Sequence, residues 1–122
     1  MRNATFNARA RNHNGEITAM QKVGFMMKLK ADRIEEYQKR HDEIWDEMRE
    51  ILKKAGRANY SLWYDAGNIF GYYEVEDKAA SGQILSDSPI VRQWNHWMAD
   101  LLETDEAGNP RIREMDLVFY LK

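Results

Sequence analysis

Residues 34–52 read IEEYQKRHDEIWDEMREIL and predict the helix that decides the fold. The apolar residues recur at spacings of three and four, which places them on one stripe of an α-helix. This stripe should face the core, and it comprises Ile34, Tyr37, Ile44, Trp45, Met48, Ile51 and Leu52. Asp32 is expected to cap the start of the helix, with Glu35 three residues later. The helix should run to about Lys54, because Gly56 suits the position just beyond a helix end.

Strand patterns surround this helix on both sides. Apolar and other residues alternate in the segments expected to be strands, which are residues 23–30, 59–64, 69–75 and 115–120. On the first strand, Val23, Phe25, Met27 and Leu29 should share one face. The turn-forming residues 65–68 separate the second strand from the third, so these two strands should form a hairpin.

Two shorter helices are expected between the third strand and the fourth. The first runs from Asp77 to about Leu85, and the second starts at Ser88-Pro89, a helix cap followed by proline at the first helical position. The order is therefore β-α-β-β-α-β, which predicts an α+β, ferredoxin-like βαββαβ fold with helices on one face of an antiparallel sheet.

The other face of that sheet would be left bare, and it is not convincingly polar. Met26, Trp63, Val118 and Tyr120 are among the residues expected there. Because an exposed apolar face usually marks a partner, we expect a homodimer in which two sheets pack together as a dimeric α/β-barrel.

Composition excludes several classes of function. The net charge of −2, without a contiguous basic run, argues against nucleic acid as the main partner. The chain has no cysteine, so disulfides, thiolate nucleophiles and cysteine-based metal sites are excluded. No apolar run approaches the roughly 18 residues that a membrane span needs. We therefore expect a cytoplasmic protein without a membrane partner.

The amino end differs from the rest of the chain. Residues 1–22 carry four Lys or Arg and one Glu, and they lack the apolar core of a secretory signal. We expect residues 1–19 to be a flexible N-terminal extension and residues 20–122 to be the folded domain. Met20 is a plausible alternative start of translation.

His41 is the candidate for chemistry. It lies on the inward stripe of the first helix, four residues after Tyr37, so a proton-transfer group would sit beside a phenol. Taken alone, a histidine in this position is more often a hydrogen-bonded core residue. The four tryptophans and six tyrosines of the chain suit a carbohydrate pocket, but they suit a core or a dimer interface as well.

The most specific motifs of the chain follow one another at set distances. They are Glu36-Tyr37-Gln38-Lys39-Arg40-His41, then Ile44-Trp45, Gly56 with Asn59-Tyr60, the aromatic cluster at Trp94, and Glu114 to Leu121. In this order and spacing the chain resembles the L-rhamnose mutarotases, from Met20 to the carboxyl end.

The resemblance implies a dimeric ferredoxin-like enzyme that interconverts the α and β anomers of L-rhamnose without cofactor or metal. It implies that His41 is the catalytic residue and that Tyr37 and Tyr60 bind the sugar. The family's pair of sugar-binding tryptophans corresponds to Trp94 and Asn95, so an amide replaces the second indole. Trp97 is a candidate to fill part of the space of that indole.

Three other functions remain open, of which the first two rest on analogy of fold alone. Dimeric α/β-barrel proteins include cofactor-free monooxygenases of quinol-like aromatic substrates, and haem-binding members in which a histidine is an axial ligand. His41 and an aromatic pocket would serve either. The third possibility is a sugar-binding module without catalysis.

Overall fold

Five strands and four helices make up the part of the chain that the computed structural model describes, residues 7–11 and 17–122. In chain order they are β1 (Asn7–Arg11), β2 (Ile17–Lys28), α1 (Ile34–Asp42), α2 (Asp46–Lys54), β3 (Ala58–Asp65), β4 (Asn68–Val75), α3 (Lys78–Ser86), α4 (Pro89–Met98) and β5 (Arg113–Met115). From β2 onward this is the predicted βαββαβ order. The α+β, ferredoxin-like prediction is confirmed.

The strands form one antiparallel sheet in which β2 lies between β4 on one side and both β1 and β5 on the other. β4 also pairs with β3, so the order across the sheet is β1-β2-β4-β3. The predicted hairpin of β3 and β4 is confirmed. Its turn contains Ala66 and Gly67, both with positive φ (48° and 86°), as in the two-residue turns that match strand twist.

The predicted single helix over residues 34–54 is wrong, because α1 and α2 are separate. The chain leaves helical geometry between them, and Trp45 is extended with φ −62° and ψ 141°. This break brings the Trp45 ring to 5.2 Å from each of the rings of Trp94 and Trp97, measured between centroids. Burying a large indole against two others offsets the loss of a few helical hydrogen bonds.

The two ends of this helical region differ in how well they were predicted. Asp32 does not cap α1: its φ is 61°, and the cap residue is Arg33, which offers no side-chain cap bond. The expected role of Gly56 is confirmed. With φ at 78°, it allows its own N–H to bond Lys53 O at 2.9 Å and Arg57 N–H to bond Leu52 O at 3.1 Å, which closes α2.

The helices α3 and α4 begin where the sequence predicts. The Asp77 carboxylate accepts from Ala80 N–H at 3.0 Å, and the Ser88 hydroxyl accepts from Val91 N–H at 3.4 Å. α4 ends at Met98, and the following Leu101 and Leu102 are buried outside any helix.

The last strand is shorter than predicted, since β5 covers Arg113–Met115 and not residues 115–120. Continuing its register with β2 would bring Val118 opposite Gln21. That edge of β2 already holds β1, in which Asn7 pairs with Gln21. Residues 116–122 therefore leave the sheet, and Val118 is 73% exposed.

Part of the N-terminal extension expected over residues 1–19 belongs to the sheet. Residues 7–11 and 17–19 lie in β1 and β2, while residues 1–6 and 12–16 lie outside the described residues. The flexibility of residues 1–19 stays a prediction.

The core lies between the helices and one face of the sheet. The predicted inward face of β2 is confirmed, since Val23, Phe25 and Met27 are buried, as is Leu29 just beyond the strand. The opposite face is bare: Trp63 on β3 is 68% exposed, and Met26 and Phe70 lie across the sheet from it. Within the described ranges, no helix is long and apolar enough to cross a membrane.

Gly71 on β4 is required by its neighbour on β2, Phe25. A Cβ at Gly71 would lie well inside van der Waals distance of the Phe25 ring, which is buried over the glycine. Phe25 cannot move aside freely, because its ring also packs edge-on to Tyr60 and against Tyr73, at centroid distances of 6.3 and 6.1 Å.

We predict that Gly71→Ala lowers the free energy of unfolding by about 1–3 kcal/mol, the usual effect of overpacking a core. Urea unfolding followed by tryptophan fluorescence measures the loss. Gly82→Ala is the control, since a Cβ there meets nothing within 4 Å. Gly82 lies inside α3, so alanine should leave stability unchanged or raise it. Equal stability of Gly71→Ala and wild type would contradict the role given to Phe25.

Candidate active site

A cavity of about 380 Å³ lies between the inner face of the sheet and the helices. This volume is in the range of small-molecule sites. Most of its wall is apolar, with Phe25 and Met27 from β2 and Met48 from α2 among the lining residues. Its polar lining residues are Tyr37, His41, Arg57, Tyr60, Tyr73, Ser86, Asn95 and Glu114.

The structure places all five residues expected from the sequence on the wall of this cavity. They come from three elements: Tyr37 and His41 from α1, Tyr60 from β3, and Trp94 and Asn95 from α4. Their separate roles in binding and catalysis stay predictions.

His41 lies in the last turn of α1, where its imidazole turns back on its own helix. Its Nδ1 lies 2.9 Å from the main-chain oxygen of Tyr37. Because a carbonyl oxygen only accepts hydrogen bonds, Nδ1 must carry a proton to make this bond. In the neutral ring Nε2 then has a free lone pair, so this nitrogen is the one that accepts a proton.

Burial keeps the His41 ring neutral. Desolvation disfavours the imidazolium and lowers the pKa of His41 below its usual value of 6.5, while the bond to the Tyr37 carbonyl and the charge of Asp42 act in the opposite direction. A neutral imidazole with a free Nε2 is a proton acceptor around neutral pH.

Aromatic rings enclose His41 on two sides. The Tyr37 ring lies 4.4 Å from the imidazole, and the Trp94 ring stands edge-on to it at 5.4 Å, between centroids. Trp94 is buried and lines the cavity. The expectation that Trp97 contributes to the pocket is wrong, because Trp97 is not among the lining residues and instead stacks on Trp45 at 5.2 Å.

Tyr37 and Tyr60 offer neutral phenols to the cavity. Burial raises the pKa of Tyr37, which is buried, and the nearby Tyr60 phenol adds to this effect. Tyr60 is 38% exposed as a residue, yet its hydroxyl end is desolvated, which raises the pKa of this tyrosine too. Both groups therefore keep their protons at neutral pH and can donate hydrogen bonds as well as accept them.

Arg40 holds α1 against the end of α4. Its guanidinium donates to Glu36 at 2.7 Å within α1, and to Asp100 at 2.9 Å and Trp97 O at 2.8 Å beyond it. Its Cζ also lies 4.7 Å from the centroid of the Trp97 ring. This network joins the residue beside His41 to the helix that carries Trp94 and Asn95.

Four polar lining residues were missed as site residues at the sequence level: Arg57, Tyr73, Ser86 and Glu114. For Tyr73 the sequence held a signal, because every second residue of β4 faces inward and Tyr73 shares this face with Ile69, Gly71 and Val75. None existed for Arg57, because its direction is set by contacts with Ser81 and Tyr73, which are distant in the sequence. Among the residues that the structure describes, no three His, Asp or Glu side chains gather in a way that could hold a metal ion.

Comparison with known proteins adds to this geometry. The sequence model of the L-rhamnose mutarotases matches residues 22–121. The chain is 40% identical over 104 residues to an L-rhamnose mutarotase of Listeria monocytogenes, an alignment that covers 84% of this chain and 99% of the relative. The chain belongs to the L-rhamnose mutarotase family. Members of this family are isomerases that interconvert the anomers of the sugar.

Other members agree with this assignment. An L-rhamnose mutarotase of Bacillus subtilis is 36% identical over 104 residues, again across 84% of this chain and 99% of the relative. The crystal structure of an L-rhamnose mutarotase of Formosa agariphila superposes with a TM-score of 0.76 at 28% identity, covering 84% of this chain and 99% of that one.

A dimeric ferredoxin-like protein from an uncultured marine organism shares the fold, with a TM-score of 0.54 at 15% identity over 86% of this chain and 92% of that one.

We predict that the His41 imidazole titrates below pH 6.5 and that its neutral form carries the proton on Nδ1. Both follow from burial and from the bond to the Tyr37 carbonyl. Long-range ¹H–¹⁵N NMR spectra of the imidazoles recorded across pH measure the pKa and the tautomer together, and the spectrum of His41→Gln assigns the signal. A neutral form protonated on Nε2 would contradict this geometry.

Proposed function

We propose that this cavity interconverts the α and β anomers of L-rhamnose, with His41 as the proton carrier. The observation that carries the proposal is the free Nε2 of a neutral, partly buried imidazole on the wall of a sugar-sized cavity. Family membership supports the choice of reaction and sugar over the other functions, among them a monooxygenase of quinol-like substrates and a binding module without catalysis.

The reaction opens the pyranose ring and closes it on the other face of the carbonyl. His41 Nε2 takes the proton of the hydroxyl on C1 as the bond from C1 to the ring oxygen breaks, which leaves an aldehyde. The ring oxygen receives a proton in the same process. Because both oxygens are bonded to C1, one imidazole at this corner can take the first proton and return it to the second oxygen. After rotation about the bond from C1 to C2, the reverse steps close the ring in the other anomer.

The surrounding residues suit a neutral sugar. The phenols of Tyr37 and Tyr60 and the amide of Asn95 supply donors and acceptors for hydroxyl groups. The Trp94 indole supplies a flat apolar surface for the C–H face of the ring. Asn95, where the family has a second tryptophan, exchanges apolar contact for a hydrogen-bonding group.

Interconversion of the anomers needs only a modest rate enhancement. Positioned proton transfer contributes about 10²- to 10⁴-fold in rate. This proton transfer depends on neutral His41, so the rate of anomer exchange should be constant around neutral pH. It should fall only as the pH drops through the lowered pKa of His41, where the imidazolium forms.

We predict that His41→Ala lowers enzyme-driven anomer exchange of L-rhamnose by about 100-fold or more, because the proton carrier is lost. Saturation-transfer NMR between the two anomeric protons measures the rate. His96→Ala is the matched control, since His96 is an exposed histidine of α4 that does not line the cavity. His96→Ala should exchange like wild type, and wild-type exchange in His41→Ala would remove the proposal.

We also propose that the protein is a homodimer joined through the bare face of the sheet. Trp63 is 68% exposed there, and Met26 and Phe70 extend the apolar surface across the strands. A partner sheet would remove this surface from water, as in a dimeric α/β-barrel. The protein with this fold from the uncultured marine organism is described as dimeric. We place the protein in the cytoplasm, in keeping with the expectation from its sequence.

We predict that light scattering returns twice the chain mass of 14.4 kDa at micromolar concentration. Trp63→Glu, which places a charge on the bare face, should shift the mass towards one chain. Lys53→Glu is the control, because Lys53 is exposed on α2, on the helical side of the sheet. A mass of one chain for the wild type would overturn this interface.

A further inference from the structure

The cavity has a second polar end, which the proposed chemistry at His41 does not use. A row of aromatic side chains connects the His41 imidazole with this second polar end. Tyr37 lies beside His41, the phenol of Tyr60 lies near that of Tyr37, and the Tyr60 ring stacks on Tyr73 at 5.5 Å. Arg57 lies at the end of this row, with its Cζ 4.0 Å from the centroid of the Tyr73 ring.

The direction of Arg57 is fixed from two sides. Its backbone N–H completes the end of α2 at Leu52 O, and its side-chain Nε donates to Ser81 Oγ at 3.2 Å on α3. Stacking on Tyr73 holds the plane of the guanidinium. The side chain thus reaches the cavity wall with its Nε already bonded.

The two terminal nitrogens of Arg57 carry four N–H donors, more than its contact with the Tyr60 phenol uses, so donors remain for a ligand. Nε bonds Ser81 Oγ. Burial raises the pKa of the Tyr60 phenol, and the guanidinium lies close enough to this phenol to offset part of that rise. Within the described part of the chain Arg57 takes part in no salt bridge. The acidic lining residue Glu114 pairs with Lys78 instead. A cation therefore faces a largely apolar cavity with free donors, which a hydroxyl oxygen would satisfy.

We infer that Arg57 is a substrate-binding residue that donates a hydrogen bond to the C4 hydroxyl of the sugar and so contributes to specificity. This rests on the proposed function, which sets C1 beside His41. In a pyranose ring C4 lies opposite C1, so its hydroxyl points away from the reacting bond. The far end of the cavity, where Arg57 stacks on Tyr73, is where that hydroxyl falls. Interactions at this end are the same before and during ring opening, so they govern binding more than the chemical step.

The test compares Arg57→Met with wild type on L-rhamnose and 4-deoxy-L-rhamnose. Loss of a hydrogen bond from a charged donor should raise KM for L-rhamnose about 10-fold or more, with kcat within about 3-fold. For 4-deoxy-L-rhamnose, wild type and Arg57→Met should have KM values within about 2-fold of each other. With 2-deoxy-L-rhamnose, which keeps the C4 hydroxyl, the full effect of Arg57→Met should return. An equal rise in KM on all three sugars would overturn the assignment to C4.

Two variants separate binding from a structural role. Ser81→Ala removes the bond between Arg57 and α3 but leaves the guanidinium on Tyr73. If Arg57 served only to tether α3, Ser81→Ala would match Arg57→Met in KM, and that result would overturn the inference. We expect KM of Ser81→Ala to stay within about 3-fold of wild type. Arg49→Met, at an exposed arginine of α2, controls for the substitution itself.

Calorimetric binding of L-rhamnose to wild type and Arg57→Met distinguishes failure of this inference from failure of the proposed function. Wild type that binds without exchanging anomers would refute the catalytic proposal alone. Equal dissociation constants of the two proteins, with normal exchange in both, would refute the role of Arg57 alone.

Discussion

The missing side chain at Gly71 is the constraint on which the cavity depends. It lets the Phe25 ring lie over β4, in the space that the side chain of any other residue would occupy. Phe25 in turn supports Tyr60 and Tyr73, two of the phenols that line the cavity. This aromatic floor, with the helices held above it, leaves room for a ring-shaped ligand between the layers.

The chemistry depends on how α1 ends. In its last turn, the Tyr37 carbonyl fixes the proton of His41 on Nδ1, and burial lowers the pKa of the ring. The break after α1 then lets Trp45 pack against Trp94, which stands edge-on to the imidazole. Helix termination, side-chain tautomer and cavity wall are thus parts of a single local arrangement.

The charged groups of the protein are divided between surface and cavity. Arg40, Glu36 and Asp100 satisfy one another at the junction of α1 and α4, where they join elements together. The polar groups of the cavity are mainly uncharged, and Arg57 is a cation among them. Because Glu114 pairs with Lys78, its carboxylate does not neutralise Arg57, which can therefore bind a ligand. Neutral hydroxyls suit such a site, since a donor-rich wall binds them without the desolvation of an ionic substrate.

Much of the fold follows from local patterns in the sequence. The inward face of β2, the hairpin of β3 and β4, the caps of α3 and α4 and the closure of α2 at Gly56 are set by periodicity and by residues with strong backbone preferences. The stripe that carries Tyr37 and His41, together with the family motifs, was enough to predict five of the residues that gather at the cavity.

Other features are decided only by tertiary structure. The break before Trp45 lies within a continuous helical pattern, and it forms because Trp94 and Trp97 offer packing from a distant helix. β5 ends early because β1 occupies the same edge of β2, a competition between the two ends of the chain. Arg57 enters the cavity because Ser81 and Tyr73 fix its direction. Each depends on residues far apart in sequence, and periodicity within one segment carries no information about such contacts.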